Sequence, residues 1–328
     1  MDRMMVERRK VLALLGAAGS AVTLSRRASA ASPLNFGYDE DSAWGVIGMV
    51  AKAQDLFKKA GADVNYYTFV SGKATRDAML SGHIDLGILG STPFILGAAK
   101  GEVIAIAMAM YAGKTDAVVV GAKSGITSMQ DLKGRRVASE LGTSTDYVFQ
   151  AELLPKYGLS PSDLRIINTQ GPNMIAALVS GSVEAIVDTE PFVSIAQADN
   201  IGKVIADYAS VDMLPVVLGA NRSVVEKRPH EVVAFLRGWL DTIKMFETST
   251  PEVGRIIQAT MQKQGFALSD KMVDLMLPKL GVNAQFVPGF KAYMEAQSKV
   301  LVQQHKLSEM PDWDKLIDTS LLSQAMAA

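Results

Sequence analysis

The sequence predicts an α/β protein of two similar lobes, each a parallel-type sheet flanked by helices, with a ligand cleft between them. Three observations carry this. The first is a repeat. Ala78-Met79-Leu80-Ser81-Gly82-His83-Ile84-Asp85-Leu86-Gly87 leads to Gly90-Ser91-Thr92-Pro93-Phe94, and Ala177-Leu178-Val179-Ser180-Gly181-Ser182-Val183-Glu184-Ala185-Ile186 leads to Asp188-Thr189-Glu190-Pro191-Phe192. Each copy reads as a helix end, a Gly stop, an apolar strand and a polar turn closing on Pro-Phe. Two copies too far apart for a solenoid suggest two lobes, and a cleft between lobes is a common seat for a small ligand. The second observation is the alternation of apolar strand-like runs with helix-like segments, the order that gives parallel sheets. The third is bulk: 328 residues, 48% hydrophobic and 20% charged, are enough for two cores.

The elements follow in order. Leu34 to Tyr38 reads as a short strand and Asp39 to Gly45 as a polar loop. Val46 to Ala60 has Val46, Val50, Ala53 and Phe57 on one helical face, with Gly61 as the stop. Val64 to Val70 is a strand, Ser71 to Gly82 a helix, and Ile84 to Leu89 an apolar run suited to a strand buried on both faces. Thr92-Pro93 is a cap followed by Pro at the first helical position, and that helix continues to Lys100. Val103 to Met110 and Val118 to Ala122 are buried strands.

The same grammar then recurs. Ser128 caps a short helix, Arg136 to Ser139 is a strand, and Gly142-Thr143-Ser144-Thr145 opens a helix running to Tyr157. Ser160-Pro161-Ser162-Asp163 is another cap, followed by a strand at Leu164 to Asn168, a helix at Met174 to Ser180 and a strand at Val183 to Val187. Val204 to Ala206 and Val216 to Gly219 read as the return to the first lobe. From Arg228 the chain is mostly helical, with Trp239, Ile243 and Phe246 on one core stripe. The expected division is residues 31–116 and 215–328 for the first lobe with its C-terminal helices, and 117–214 for the second. Hinges are expected near Lys114 to Val118 and Asp212 to Val216.

Residues 1–30 read as an export signal rather than part of the fold. Arg8-Arg9-Lys10 is a basic start, Val11 to Leu24 a mild apolar stretch, and Ala28-Ser29-Ala30 a small-x-small cleavage site. The arginine pair resembles a twin-arginine signal, although Glu7 precedes it. Removing this segment, with six basic and two acidic residues, takes the formal charge from -1 to -5. No cysteine follows the cleavage site, so a freely diffusing periplasmic protein is expected.

Composition excludes several function classes. There are no cysteines, hence no disulfide, thiolate metal site or cysteine nucleophile. His83, His230 and His305 are far apart, so no metal is expected. Lys and Arg number 33 against 34 Asp and Glu, without a basic stripe for nucleic acid. The phosphate-loop, dinucleotide, GxSxG and HExxH spacings are absent, and neither a cofactor nor a catalytic residue is expected.

In open parallel sheets a ligand sits at the carboxyl ends of the strands. That rule selects the turns Asp39 to Trp44, Ser71-Gly72-Lys73, Gly90-Ser91-Thr92, Gly142 to Thr145 and Asp188-Thr189-Glu190. Three of these open helices, whose free N–H groups and dipole favour anions. A Ser or Thr there is by itself a cap; convergence of several such turns on one cleft points to a ligand. The candidate ligand-binding residues are therefore Tyr38, Trp44, Ser71, Gly72, Ser91, Thr92, Gly142, Thr143, Ser144, Thr145, Asp188 and Glu190.

As an ordered set, Asp131-Leu132-Lys133-Gly134-Arg135-Arg136-Val137-Ala138, Gly142-Thr143-Ser144-Thr145, Gly158-Leu159-Ser160-Pro161 and Glu190-Pro191-Phe192, with the repeat above, resemble the nitrate/sulfonate/taurine family of periplasmic substrate-binding proteins. The resemblance covers roughly residues 34 to 220. It implies a two-lobed receptor, monomeric, that closes on a small-molecule ligand and delivers it to an ABC transporter permease in the inner membrane. The ligand class implied is a small organic anion or zwitterion, sulfonate- or taurine-like. Nitrate, an aromatic carboxylate and a thiamine-pyrimidine precursor remain open, as does a pyrimidine-precursor synthase on the same fold. Two departures bear on the pocket: Thr189 stands where the family often has Trp, and Asp146 where it often has His.

Overall fold

A computed structural model describes residues 32–327. The export-signal reading lies outside the described residues. Ten strands form two five-stranded sheets. The first holds β1 (Leu34–Asp39), β2 (Val64–Phe69), β3 (Leu86–Gly90), β4 (Val103–Tyr111) and a late strand, Pro215–Asn221. The second holds β5 (Ala117–Gly121), β6 (Arg136–Ser139), β7 (Arg165–Asn168), β8 (Ala185–Asp188) and β9 (Gly202–Asp207); the late strand is β10.

The strand orders are β2-β1-β3-β10-β4 and β7-β6-β8-β5-β9. They are the same order once β6, β7, β8 and β9 are matched to β1 to β4, and β5 is matched to β10. The sequence repeat therefore marks the central strand of each sheet, β3 and β8. The α/β two-lobed class holds, but parallel pairing throughout does not. β10 runs antiparallel to both β3 and β4, and β5 antiparallel to both β8 and β9. These are the strands that enter each sheet from the other one, and they arrive pointing the opposite way. The chain passes between sheets twice, through residues 112–116 and 208–214, which overlap in part the segments 114–118 and 212–216 where hinges are expected.

Local sequence explains most elements. β4 reads Val-Ile-Ala-Ile-Ala-Met-Ala-Met-Tyr and is buried over nearly its whole length, although it ends the sheet order. Its outer edge is covered: Met108 N donates to Ala284 O at 2.9 Å, Tyr111 N to Gly281 O at 2.9 Å, and Ala105 bridges Ile317, so this edge is not left open. Trp239 is fully buried on the helix Pro229–Thr248, and its indole N–H donates to Met108 O at 3.0 Å. Ser128 and Ser160 both form capping boxes, with Asp131 and Asp163.

Three helices differ from expectation. The helix expected to be capped by Thr92 runs over Ser91–Ala98 with Gly90 at its N-cap, so Pro93 is its third residue. The segment from Val46 is interrupted at Asp55, whose φ of 52° separates Val46–Ala53 from Leu56–Lys59; Asp is among the few residues that accept this conformation. The helix after Thr143 is regular only over Ser144–Val148, then widens to a π segment at Phe149–Leu153.

Candidate functional site

Six parallel strands, three from each sheet, end on one cavity. After β1 come Asp39, Asp41, Ser42 and Trp44; after β2, Val70, Ser71 and Gly72; after β3, Pro93. The second sheet supplies Glu140 and Thr143 to Thr145 after β6, Gly171, Pro172 and Met174 after β7, and Val187, Asp188, Thr189 and Phe192 around the end of β8. This is the switch-point geometry of open α/β sheets, doubled and face to face. The cavity holds about 60 Å³, room for roughly four to six waters, so the occupant is small.

Bonds between the two sheets' turns hold it shut. Thr92 N donates to Ser144 Oγ at 2.9 Å, and Ala43 N to Glu190 O at 2.7 Å. The Trp44 indole N–H donates to Asp116 Oδ1 at 3.2 Å, while the Thr145 hydroxyl donates to Asp116 Oδ2 at 2.6 Å. Asp116 lies in the first crossing segment and is fully buried. It thus ties an element of each sheet to the crossing. Lys73 reaches across to Glu140, 3.2 Å away, and donates to Leu141 O at 2.8 Å. Gly90 makes this packing feasible: a Cβ there would lie 2.4 Å from the Trp44 ring and 2.5 Å from Ser144 Oγ.

The lining is acidic. Asp39, Asp41, Glu140 and Asp188 face the space, and among the described residues no lysine, arginine or histidine lines it. Burial pushes the Asp39 carboxyl well above the usual carboxylate range, with the charges of Asp41 and Glu140 adding to the effect. Burial does the same to Asp188, partly offset by the Thr189 N–H and reinforced by Asp116, Glu140 and Asp41. Asp41 is pushed up to about 6, again mainly by burial. Asp116 is also raised to about 6 by burial, against the pull of its hydroxyl and indole donors. Among the described residues no group of three or more His, Cys, Asp or Glu side chains is placed to hold a metal ion.

Against known families, residues 46–247 match the model described as NMT1/THI5 like. The chain belongs to the NMT1/THI5-like family. A relative, the taurine-binding periplasmic protein of Escherichia coli strain K12, is 32% identical over 198 residues, covering 58% of this chain and 60% of that protein. The chain thus spans less than two thirds of that relative's length. Among solved structures, the alkanesulfonate-binding protein SsuA from Xanthomonas axonopodis pv. citri, bound to MOPS, superposes with a TM-score of 0.77 at 20% identity over 88% of this chain and 98% of that one. The desulfurization enzyme DSZB also shares the fold, with a TM-score of 0.62 at 15% identity over 90% and 99% of the two chains.

In this NMT1/THI5-like chain the cavity takes in Trp44, Ser71, Gly72, Thr143, Ser144, Thr145 and Asp188 of the expected ligand residues. Five others lie elsewhere, each for a physical reason. Tyr38 is fully buried on the opposite side of β1, stacked on Phe36, with its hydroxyl donating to Glu40 at 2.8 Å. Ser91 and Thr92 sit behind the cavity, Ser91 Oγ 3.5 Å from the Tyr293 hydroxyl and Thr92 Oγ1 accepting from Gln297 at 2.9 Å. Gly142, at φ 82°, shapes its turn by donating to Asp146 Oδ2 at 3.0 Å. Glu190 turns away to pair with Lys279 and accept from Ser194 N at 3.0 Å.

Asp146, one of the two departures, is likewise absent from the lining. It accepts from Ser139, Gly142 and Gln150 and so fastens the turn from below. Thr189, the other, does line the cavity. Residues missing from the expected set include Asp39, Asp41, Ser42, Glu140, Gly171 and Pro172. The first three lay in a selected turn. Glu140 directly follows β6, and Gln170-Gly171-Pro172 is a helix start with Pro in the first turn. The strand-end rule, applied to every parallel strand, finds them all.

Proposed function

We propose that this protein is an extracytoplasmic solute-binding protein of an ABC importer, capturing a small solute of the taurine or sulfonate type by lobe closure and handing it to a membrane permease. The observation that carries the reading is a small cavity shut between the carboxyl ends of six parallel strands, with Thr92–Ser144, Ala43–Glu190 and Trp44–Asp116 bonded across it. The first two bonds link turns of different sheets and the third ties the Trp44 turn to the crossing segment, so hinging at residues 112–116 and 208–214 would break the first two and open the cavity. Residues 31–116 with 215–328, and 117–214, are then the two lobes. The family membership and the taurine-binding relative support the same reading. Among the described residues no helix is long and apolar enough to cross a membrane.

The reading is of a monomeric receptor that releases its solute unchanged and does not engage nucleic acid. A lining of carboxylates and hydroxyls supports binding over catalysis, because it contains no basic group to trade protons with Asp188. A thermal-shift panel of amino-sulfonates, alkanesulfonates, nitrate, aromatic acids and pyrimidines on the chain from residue 31 tests it. A true solute at 100 times its Kd adds about 2.7 kcal/mol to stability. A panel without a single shift, or a solute returned chemically altered, would sink the reading.

A further inference from the structure

We propose that the solute must carry a protonated amine, held by Asp39 and Asp188, and that simple anions lacking an amine are excluded. This rests on the solute-binding reading and narrows its ligand class. Two buried acceptors point the way. Asp39 Oδ1 and Asp188 Oδ2 have no hydrogen-bond partner among the described residues, yet both carboxyls line the cavity and are only 6% and 4% exposed. A buried acceptor left unmet in the closed form calls for a donor from outside the chain, and an ammonium group supplies three N–H donors and a compensating charge.

The anion side offers only hydroxyls and N–H groups, with no cation among the described lining residues. Of the hydroxyls on the Thr143 to Thr145 turn, Thr143 already donates to Glu140 O at 2.8 Å and Thr145 to Asp116 at 2.6 Å. Ser144 Oγ accepts from Thr92 N. What remains for a negative group is the Ser42, Ser71 and Ser144 hydroxyls and the first-turn N–H groups of the helices Gly72–Leu80 and Ser144–Val148. A sulfonate or carboxylate can lie there at one end of a zwitterion. An anion with nothing at its other end would leave Asp39 and Asp188 unmatched and face them at close range.

Isothermal titration calorimetry with three probes tests this: taurine, ethanesulfonate (the same sulfonate without the amine) and ethanolamine (an amine without the sulfonate). Taurine, ethanolamine or both should bind, with ethanesulfonate at least 100-fold weaker than the better amine. Asp188→Asn and, as a second variant, Asp39→Asn should each cost the amine at least tenfold in Kd, with apo melting points showing that each variant folds. Ethanesulfonate within a few-fold of the amines, unchanged amine affinity in both variants, or no binding of either amine would overturn the proposal. If ethanesulfonate or nitrate alone binds tightly, the solute-binding reading stands and only this inference falls. If neither these probes nor the wider panel binds, both fall.

Discussion

A single methyl group at Gly90 would do more harm to closure than to folding. Its Cβ would meet the Trp44 ring at 2.4 Å and Ser144 Oγ at 2.5 Å, atoms that belong to opposite sides of the cleft. Overpacking of this kind costs about 1–3 kcal/mol; the Ser144 contact crosses the cleft and is relieved by opening, and the Trp44 contact must be met by a shift of the ring. Gly90→Ala is therefore expected to weaken solute binding at least tenfold with a smaller loss of apo melting temperature, measured by titration and thermal melt on the same preparation. Asp116 gives a residue-level prediction with a definite sign. Its carboxyl is raised to about 6 in the folded chain, against about 3.9 for an unperturbed Asp, so the folded state holds the proton more tightly. Stability from this group is fully present below the unfolded value and is lost as pH rises through about 6. Two units correspond to about 2–3 kcal/mol. Asp41 and Asp212, also raised to about 6 chiefly by burial, act in the same direction. The apo melting temperature should fall between about pH 4 and pH 6.5, and Asp116→Asn should flatten that slope. A melting temperature that rises over this window contradicts the assignment.

At the scale of elements, the turn after β8 shows how one residue can leave the pocket and still govern it. Glu190 is fully buried and bonded to Lys279, which lies beyond β10 near the C-terminal helices. Truncating Lys279 strands a buried carboxylate. Breaking a buried pair costs about 3–5 kcal/mol, and the partial exposure of Lys279 (27%) reduces this to about 2 kcal/mol. Lys279→Ala should lower the denaturant midpoint accordingly, and Glu190→Gln in that background should recover part of the loss. The same pair marks the limit of what was legible in the chain. β3 and β8 could be read directly, because Leu86–Gly90 and Ala185–Asp188 are apolar runs between a Gly stop and a Pro-Phe turn. Their strand ends named the cavity's location. The direction of β5 and β10 could not be read, because a strand buried on both faces has the same composition whichever way it runs. Side-chain direction within the turns was equally hidden. Ser91 and Thr92 look like Thr143 and Ser144 in sequence, yet contacts with Tyr293 and Gln297, some 200 residues away, draw the first pair behind the cavity.

For the whole molecule the question is what holds the two sheets' turns together once the solute is in place. Across the cleft run neutral bonds, such as Thr92 N to Ser144 Oγ, and charged straps, Lys73 with Glu140 and Leu141 O, and Lys279 with Glu190; the first of these straps is the one that bears on reopening. The Lys73 strap is the outermost of these, with the Lys73 side chain 29% exposed against 12% for Glu140. A partly exposed ion pair is worth about 1 kcal/mol or less, too little to close an empty cleft against the loss of hinge freedom. It is enough to slow the reopening of a filled one. Losing it should act on the dissociation step, since a contact made only after closure stabilises the closed complex without steering encounter. Lys73→Ala is thus expected to raise the solute off-rate by about fivefold, the rate equivalent of about 1 kcal/mol, while leaving the on-rate and the apo melting point nearly unchanged. Trp44 sits in the cavity with its indole N–H on Asp116, so its fluorescence should report closure in stopped-flow mixing. Raising salt should mimic the substitution in the native chain and have little further effect on the variant, because screening acts on the partly exposed pair and spares the buried neutral bonds. An off-rate that responds to neither change would place the closing force wholly in the cavity, where Asp39 and Asp188 are proposed to hold the solute.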